Sequence, residues 1–228
     1  HTFIDINNMK LNKQCCKASC KGKIRCHFLI HLYKNDGISQ EELSELVNID
    51  KGTTAKAIRK LEELKMIVDV SHANEKSFWD IMNIATKPVI ASHSNVKALS
   101  DHRRNLTDNQ IKAIAESGGI IGINGYRDFV DYKNWQRADV GDLVNHIDYM
   151  ADLVGIDHIS CGFDFSGFID QDCLSAFLED TSNPNVLGLK EFKDTPNLIK
   201  ELQKRGYTQD EIEKIGYKNA FRVIQQVL

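Results

Sequence analysis

Two short apolar runs that each lead into a histidine constrain the fold of this chain more than any other feature. Residues 67–70 and 88–91 contain β-branched side chains, and each run is followed by a serine and then by a histidine, His72 and His93. The residues between the runs carry apolar side chains at helical rather than alternating spacing. This pattern predicts a strand, a crossover helix and a second, parallel strand.

The two histidines are therefore predicted to be neighbours, although they are far apart along the chain. Parallel strands place their carboxyl ends at one edge of a sheet, and that edge is where α/β proteins carry out their chemistry. Imidazole is the commonest metal ligand and titrates near neutral pH. A single histidine after a strand is more often a structural hydrogen-bonding group. On this pattern alone, a metal or catalytic site and a structural role both stay open.

The remainder of the chain continues the alternation of strands and helices. Strands that are buried and do not alternate in polarity, separated by helices, predict a parallel α/β fold. The unit length matches a (βα)8 barrel, and about four of its eight units fit in the chain beyond Met66. We therefore expect a partial (βα)8 barrel. The predicted strands are 67–70, 88–91, 120–124 and 158–161; the predicted helices are 74–86, 107–117, 140–154 and two that begin at Thr195 and Thr208, with a long loop at 125–139.

The amino-terminal part has a different, all-helical pattern. Three helices are predicted, at 26–34, from Ser39 onwards and at 51–65, and Ser39 with Glu42 forms a capping box for the second. A helix, a short turn and a second helix can place the second helix in a DNA major groove. Alternatively, helix 51–65 packs on the outside of the following sheet. Its predicted inward residues are Ala55, Ala57, Ile58, Leu61 and Leu64, and its candidate DNA contacts are Thr53, Thr54, Lys56 and Arg59.

Charge and cysteine content limit the classes of function. The net charge is −3, but residues 1–66 hold 12 basic against 8 acidic side chains. This basic segment fits either nucleic-acid contact or a solvated surface. Residues 1–25 are rich in Cys and Lys and are predicted to be an irregular leader. Four cysteines lie in or next to this segment: Cys15, Cys16, Cys20 and Cys26. They lack the paired C-x2-C spacing of zinc sites, so we expect them to be reduced thiols.

No apolar run in the sequence is long enough to span a membrane, and no secretory leader is recognisable. These features predict a cytoplasmic protein without a membrane partner. His27 and His31 are spaced for chelation on one helix, but packing is the more usual role of such a pair, and no third ligand follows at a suitable spacing.

Residues 37–64 resemble the winged helix-turn-helix of MarR-type transcription regulators. The resemblance makes the helix that begins near Thr53 the recognition helix and implies duplex DNA as a partner for residues 37–65. The wing and the dimerisation helices of such regulators do not follow, because Lys65 leads directly into the strand before His72.

Residues beyond Met66 resemble the carboxyl-terminal half of the renal (membrane) dipeptidase family of zinc peptidases. The resemblance is carried by DVSH at 69–72, PVIASHSN at 88–95, HRRNLTDNQ at 102–110, GGIIGIN at 118–124, HIDYMADLVGIDHISCGFDFSG at 146–167 and the tail RGYTQDEIEKIGYKNAFRVI. It implies hydrolysis of dipeptides by water activated between two zinc ions. It also implies roles for individual residues: His72 and His93 as zinc ligands, Arg104 as the residue that binds the dipeptide's carboxylate, and Asp164 as the catalytic aspartate. Asn124 is predicted to bind substrate because it follows the third predicted strand at the same edge.

The chain departs from that family in its ligand set. The family has a His-x-Asp pair on its first strand and a metal-bridging glutamate on a middle strand, and neither is identifiable here. His146-Ile147-Asp148 lies in a predicted helix and is no substitute. We therefore expect an impaired dipeptidase, with three segments at 1–25, 26–65 and 66–228. The alternatives are a MarR-like regulator with a vestigial or ligand-sensing module, and a truncated chain without function. A homodimer is compatible with each.

Overall fold

The computed structural model describes residues 51–165 and 183–228. These described residues divide into two compact units, one with residues 51–60 and 73–84 and the other with residues 61–72, 85–165 and 183–228. The predictions for the leader, for the helices at 26–34 and from Ser39, for His27 and His31, and for the four clustered cysteines lie outside the described residues.

The described helices and strands follow the predicted alternation. In chain order they are α1 (Lys51–Glu63), β1 (Val68–Asp69), α2 (Glu75–Ile84), β2 (Val89–Ile90), α3 (Asp108–Glu116), β3 (Ile121–Ile123), α4 (Arg127–Val130), α5 (Val140–Val154), β4 (Ile159–Cys161), α6 (Thr195–Lys204), α7 (Gln209–Glu213) and α8 (Asn219–Val227). Single 3-10 turns occupy Trp135–Arg137, Ile156–His158 and Phe192–Asp194, and a π-helix occupies Lys214–Lys218.

All strand pairings between these elements are parallel. β1 pairs with β2, and β3 pairs with β4. A parallel bridge between Ala91 and Ile121 joins the two pairs, with Ala91 N donating to Ile120 O at 3.0 Å. The prediction of a parallel α/β fold is therefore confirmed. The carboxyl ends of all four strands consequently lie at one edge, which is called the carboxyl edge below.

Two glycines allow the backbones of β2, β3 and β4 to come close together at this edge. A Cβ atom built on Gly122 would lie 2.0 Å from the carbonyl oxygen of Ser92, and one built on Gly162 would lie 1.9 Å from the same atom. Any side chain larger than hydrogen would collide with backbone at both positions. The glycines therefore fix the path of the chain through Ser92, which directly precedes His93.

Helix capping follows the sequence closely. Thr107 caps α3 through a capping box with Gln110, and Thr208 caps α7 through one with Glu211. Pro196 lies in the first turn of α6, where its missing N–H costs no hydrogen bond. The predicted helix starts are therefore confirmed. The two capping boxes could be predicted because each involves only residues three positions apart.

Three local predictions are wrong. Segment 125–139 is not a continuous loop, since it contains α4 and a 3-10 turn. The helix predicted from Thr208 onwards is interrupted by the π-helix. Directly after the π-helix, the buried side chain of Asn219 donates to Ile156 O and Ile159 O, both at 2.8 Å. Leu61 and Leu64 are 38% and 56% exposed rather than inward, as Leu64 follows the last residue of α1.

His146 links three segments on the carboxyl side of the sheet. Its Nδ1 accepts a hydrogen bond from Val96 N at 3.1 Å, and its Nε2 donates one to Val130 O at 2.9 Å. The ring therefore carries its single proton on Nε2. Burial lowers the pKa of His146 from its usual 6.5, outweighing the opposing effects of Val130 O and the nearby carboxylates. The neutral ring is a structural support for the loops that follow β2 and β3.

We expect this histidine to make folding stability depend on pH. In the unfolded chain His146 takes up a proton below about pH 6.5, whereas in the folded chain it stays neutral to lower pH. Stability is thus fully present above pH 6.5 and is lost as the pH falls below it, by at most about 1.4 kcal/mol per pH unit for one proton. Urea unfolding at pH 7.5 and pH 5.5 measures this loss. The loss should be smaller in His146→Gln; equal losses in both proteins would contradict the prediction.

Candidate metal and substrate site

The strand register brings the side chains of His72 and His93 next to each other. Val68 pairs with Val89, a spacing of twenty-one residues that is repeated between the two histidines. Their Nε2 atoms lie 2.9 Å apart, and the ring centroids are separated by 5.0 Å with an angle of 61° between the planes. His72 reaches this position through a left-handed backbone, with φ at 70°. The two rings thus meet edge to edge at the carboxyl edge.

This arrangement fits two ligands of one zinc ion. Zinc binds imidazole nitrogen at about 2.0–2.1 Å, so nitrogens 2.9 Å apart correspond to an N–Zn–N angle of roughly 90°. If the two Nε2 atoms moved apart by a few tenths of an ångström, the N–Zn–N angle would reach the tetrahedral value. The remaining ligands are not supplied nearby, as residues 51–165 and 183–228 contain no group of three or more His, Cys, Asp or Glu that could hold a metal ion.

A carboxylate and two serines surround the second histidine. Asp69 Oδ1 accepts from Ser92 N at 3.0 Å, and Asp69 Oδ2 accepts from the hydroxyl of Ser92. That hydroxyl also lies 2.7 Å from His93 Nδ1 and 3.3 Å from the hydroxyl of Ser71. The contacts of Asp69, Ser71 and Ser92 with His93 were not predicted from the sequence. The signal was present, since both histidines follow a serine and Asp69 precedes His72 by three residues.

The other two predicted residues at strand ends follow β3 and β4. Asn124 is buried and exchanges hydrogen bonds with Asn95, whose Nδ2 donates to Asn124 O at 3.0 Å and whose Oδ1 accepts from Asn124 N at 2.9 Å. Its own Nδ2 is also buried and has no hydrogen-bond acceptor within the described ranges. Asp164 follows β4 and is partly buried, with φ at 58°.

Left-handed backbone marks two of the predicted site residues. Only Lys65, His72 and Asp164 among the described non-glycine residues have positive φ. Such conformations are costly for side chains with a Cβ and cluster at functional sites. The topology puts Asp164 at the same edge as the histidines, but it does not complete a three-ligand cluster with them.

Arg104 lies in the loop after β2, which also begins at the carboxyl edge. Its guanidinium carbon lies 5.4 Å from the centre of the Phe129 ring, and its Nε and one terminal nitrogen are buried. His102 packs against Phe129 as well, with ring centroids 4.7 Å apart. Burial and the nearby Arg103 lower the pKa of His102, against a smaller opposing effect of Asp128. Phe129 of α4 thus packs against the Arg104 side chain.

The His146-Ile147-Asp148 sequence does not belong to this site. It lies within α5, as predicted, and Asp148 accepts hydrogen bonds from Arg205 and Tyr207 at 2.5 and 2.7 Å. These contacts occupy both carboxylate oxygens. Asp148 therefore joins α5 to the end of α6 and the segment after it.

The candidate DNA contacts lie on α1. The side chains of Lys56 and Arg59 are exposed, whereas those of Thr53 and Thr54 lie outside the described part of the structure. None of the helices that the structure describes has the length and apolar character needed to cross a lipid bilayer.

A parallel α/β sheet that brings two imidazoles together at its carboxyl edge belongs to the class of α/β folds whose functional sites lie at that edge, and imidazole pairs there can hold a metal ion. The sequence model of the membrane dipeptidase family (peptidase family M19) matches residues 50–228, and the chain belongs to this family of metallopeptidases. A model of winged helix-turn-helix DNA-binding domains matches residues 29–68. Both matches include α1, which is also the helix for which two roles were predicted.

Curated relatives support the family and show how much of it is present. The chain is 39% identical over 172 residues to an uncharacterised protein in the pqqA 5' region of Klebsiella pneumoniae, covering 75% of this chain and 58% of the relative. It is 34% identical over 161 residues to dipeptidase ataJ of Aspergillus terreus, covering 71% and 36%. The chain thus spans roughly a third to three fifths of the length of these relatives.

Solved structures show the same fold. An amidohydrolase from Pseudomonas aeruginosa is 27% identical and superposes with a TM-score of 0.70, covering 78% of this chain and 57% of that one. A metallopeptidase from Rhodobacter sphaeroides, crystallised with a phosphinate mimic of the dipeptide L-Ala-D-Ala, gives 0.68 at 24% identity, covering 85% and 48%. At this identity the second likeness concerns the fold alone.

Proposed function

We propose that this chain carries the carboxyl-terminal half of a zinc dipeptidase site. The observation that carries the proposal is the 2.9 Å separation of the His72 and His93 Nε2 atoms at the carboxyl edge. Family membership and the dipeptidase names of curated relatives support dipeptides as the substrate class. His72 and His93 would hold the metal. Zinc, when bound, supplies a Lewis acid and lowers the pKa of the attacking water.

The remaining residues would bind and orient the dipeptide. The fixed guanidinium of Arg104 suits a substrate carboxylate, which it can engage through two parallel hydrogen bonds. The buried Nδ2 of Asn124 offers a donor for a substrate carbonyl. Asp164 would hold the proton that the scissile nitrogen needs on leaving, as a general acid positioned at the strand end.

We further propose that hydrolysis by this chain alone is weak or absent. Two imidazoles leave a zinc ion short of the three protein ligands that catalytic sites use, and a second zinc ion would have none of its own. The carboxylates that complete the family's site are not identifiable in this sequence. A partner chain that supplied them would restore activity.

Zinc content and hydrolysis of a dipeptide series test the proposal together. The purified protein is loaded with zinc, passed through a desalting column and analysed by mass spectrometry for metal, and then assayed with L,L- and L,D-dipeptides. Retained zinc with slow or no turnover is expected. Dipeptide hydrolysis at the rate of an intact dipeptidase would contradict the proposed impairment. A protein that retains no zinc at neutral pH would contradict the proposed metal site.

The match to winged helix-turn-helix domains supports a second candidate, a DNA-binding role for residues 37–65. Lys56 and Arg59 are exposed on α1 and would contact phosphates. Binding to duplex DNA should then weaken with salt, with a log–log slope that falls by about 0.9 for each contact removed in Lys56→Ala and Arg59→Ala. Lys112→Ala on α3 is the matched control and should leave the slope unchanged. No binding at low salt would dismiss the role.

A further inference from the structure

We infer that Asp69 and Ser92 are positioning residues that hold His93 in the tautomer with its proton on Nδ1, so that a bare Nε2 faces His72. The inference about proton placement depends on the hydrogen-bond geometry alone. Its consequence for zinc affinity rests on the proposed metal site.

The direction of each hydrogen bond follows from counting donors. A carboxylate only accepts, so the Ser92 hydroxyl must give its proton to Asp69 Oδ2. The Ser92 oxygen then has only lone pairs left to offer to His93 Nδ1, 2.7 Å away. The hydrogen bond between them forms only if His93 Nδ1 carries a proton. In a neutral imidazole the other nitrogen, Nε2, is then bare.

The surrounding contacts fix the same arrangement. Asp69 Oδ1 is held by two backbone donors, Ser71 N at 2.9 Å and Ser92 N at 3.0 Å, so the carboxylate cannot rotate freely. The Ser71 oxygen accepts from His93 N at 3.1 Å and can give its own proton to the Ser92 oxygen at 3.3 Å. Every polar atom of the cluster is thereby satisfied with one proton arrangement.

This order of groups excludes Ser92 as a nucleophile of the serine-hydrolase type. In a catalytic triad the imidazole lies between serine and carboxylate and takes the serine proton. Here the serine lies between carboxylate and imidazole, and the imidazole nitrogen that faces it already carries a proton. The arrangement instead matches the outer contacts of metal-binding histidines, whose second nitrogen donates to a carboxylate, a carbonyl or water and which lose about 10–100-fold in metal affinity without that partner.

Replacing Asp69 by asparagine should reverse the chain of hydrogen bonds. The two backbone donors require an oxygen at the Oδ1 position, so the amide NH2 must occupy the Oδ2 position. The Ser92 oxygen would then accept from that NH2 and give its own proton to His93 Nδ1 at 2.7 Å, which is a closer acceptor than the Ser71 oxygen at 3.3 Å. His93 would then carry its proton on Nε2, which blocks the lone pair facing His72.

The experiment measures the tautomer and the zinc affinity separately. Two-dimensional 15N–1H NMR of the metal-free protein at pH 8 reports which ring nitrogen of His93 is protonated, and competition with a chromophoric chelator gives the zinc dissociation constant. We expect protonated Nδ1 in the wild type and protonated Nε2 in Asp69→Asn. We expect zinc affinity to fall about 10–100-fold in Asp69→Asn and Ser92→Ala, and Ser92→Thr, which keeps the hydroxyl, to restore it.

Ser94→Ala is the matched control, since it removes a buried serine hydroxyl two residues from Ser92 that has no hydrogen-bond partner among the described residues. It should keep the wild-type tautomer and zinc affinity within about threefold. If Ser92→Ala does not fold, the isosteric Asp69→Asn decides the question. A His93 tautomer unchanged in Asp69→Asn overturns the inference. A wild-type protein that binds no zinc overturns the proposed metal site instead, and the NMR result still decides the role of Asp69 and Ser92.

Discussion

Gly122→Ala is expected to destabilise the protein by about 3 kcal/mol or more and to abolish zinc binding. The added methyl group would lie 2.0 Å from Ser92 O, 2.8 Å from the Ser92 carbonyl carbon and 3.1 Å from Gly162 Cα. These are backbone atoms of two other segments at the sheet, so no side chain can move aside to relieve the collision. Overpacking of a rigid core typically costs about 1–3 kcal/mol and more where backbone must shift.

The loss of zinc follows from the position of the collision. Moving Ser92 displaces both its hydroxyl, which contacts His93 Nδ1, and the backbone that carries His93. Urea unfolding measures the stability, and chelator competition measures the zinc affinity. Gly216→Ala is the control, because a Cβ there would lie within 4 Å of no atom beyond its chain neighbours and its own helical backbone; its stability should stay within about 1 kcal/mol of the wild type. An equally small change in Gly122→Ala would contradict the close approach of the strands.

His72→Ala and His93→Ala are each expected to weaken zinc binding by on the order of a thousandfold. Loss of a contact behind a ligand costs about 10–100-fold, and loss of one of only two identifiable ligands should cost more. Zinc affinity should fall equally in the two variants, since a single imidazole cannot hold the ion. Stability should change little, because His72 is exposed and His93 partly exposed.

The control for these variants is another histidine of the same sheet. His158 directly precedes β4, at the end opposite to the carboxyl edge, and its Nδ1 lies 2.9 Å from Gly119 O. His158→Gln should retain the wild-type zinc affinity. If zinc binding survives in both His72→Ala and His93→Ala, the metal lies elsewhere and the dipeptidase site as proposed here is wrong.

Several features of the site could be predicted from local sequence. The repeat of a short apolar run, a serine and a histidine after twenty-one residues indicated two parallel strands ending side by side. Parallel pairing preserves sequence spacing, so His72 and His93 face each other in the same register as Val68 and Val89. The helix starts at Thr107 and Thr208 could also be predicted, because a capping box involves only one turn.

Other features depend on segments that meet only in the folded chain. Asp69 contacts Ser92 across twenty-three residues, and only the pairing of β1 with β2 makes the aspartate a partner of the serine. The π-helix at Lys214–Lys218 is directly followed by Asn219, whose side chain donates to a carbonyl of β4. The helical spacing of apolar residues does not predict such a contact.

The sequence by itself determined the parallel α/β fold, the family and the positions of the paired histidines, because strand alternation, capping and register are set by residues close together in the chain or at fixed spacing. Tertiary structure alone decided how protons are arranged around His93 and how tightly the strands approach at Gly122 and Gly162. Those properties arise from atoms of different strands within about 3 Å of one another, a distance at which the direction of one hydrogen bond or the volume of one methyl group determines the outcome.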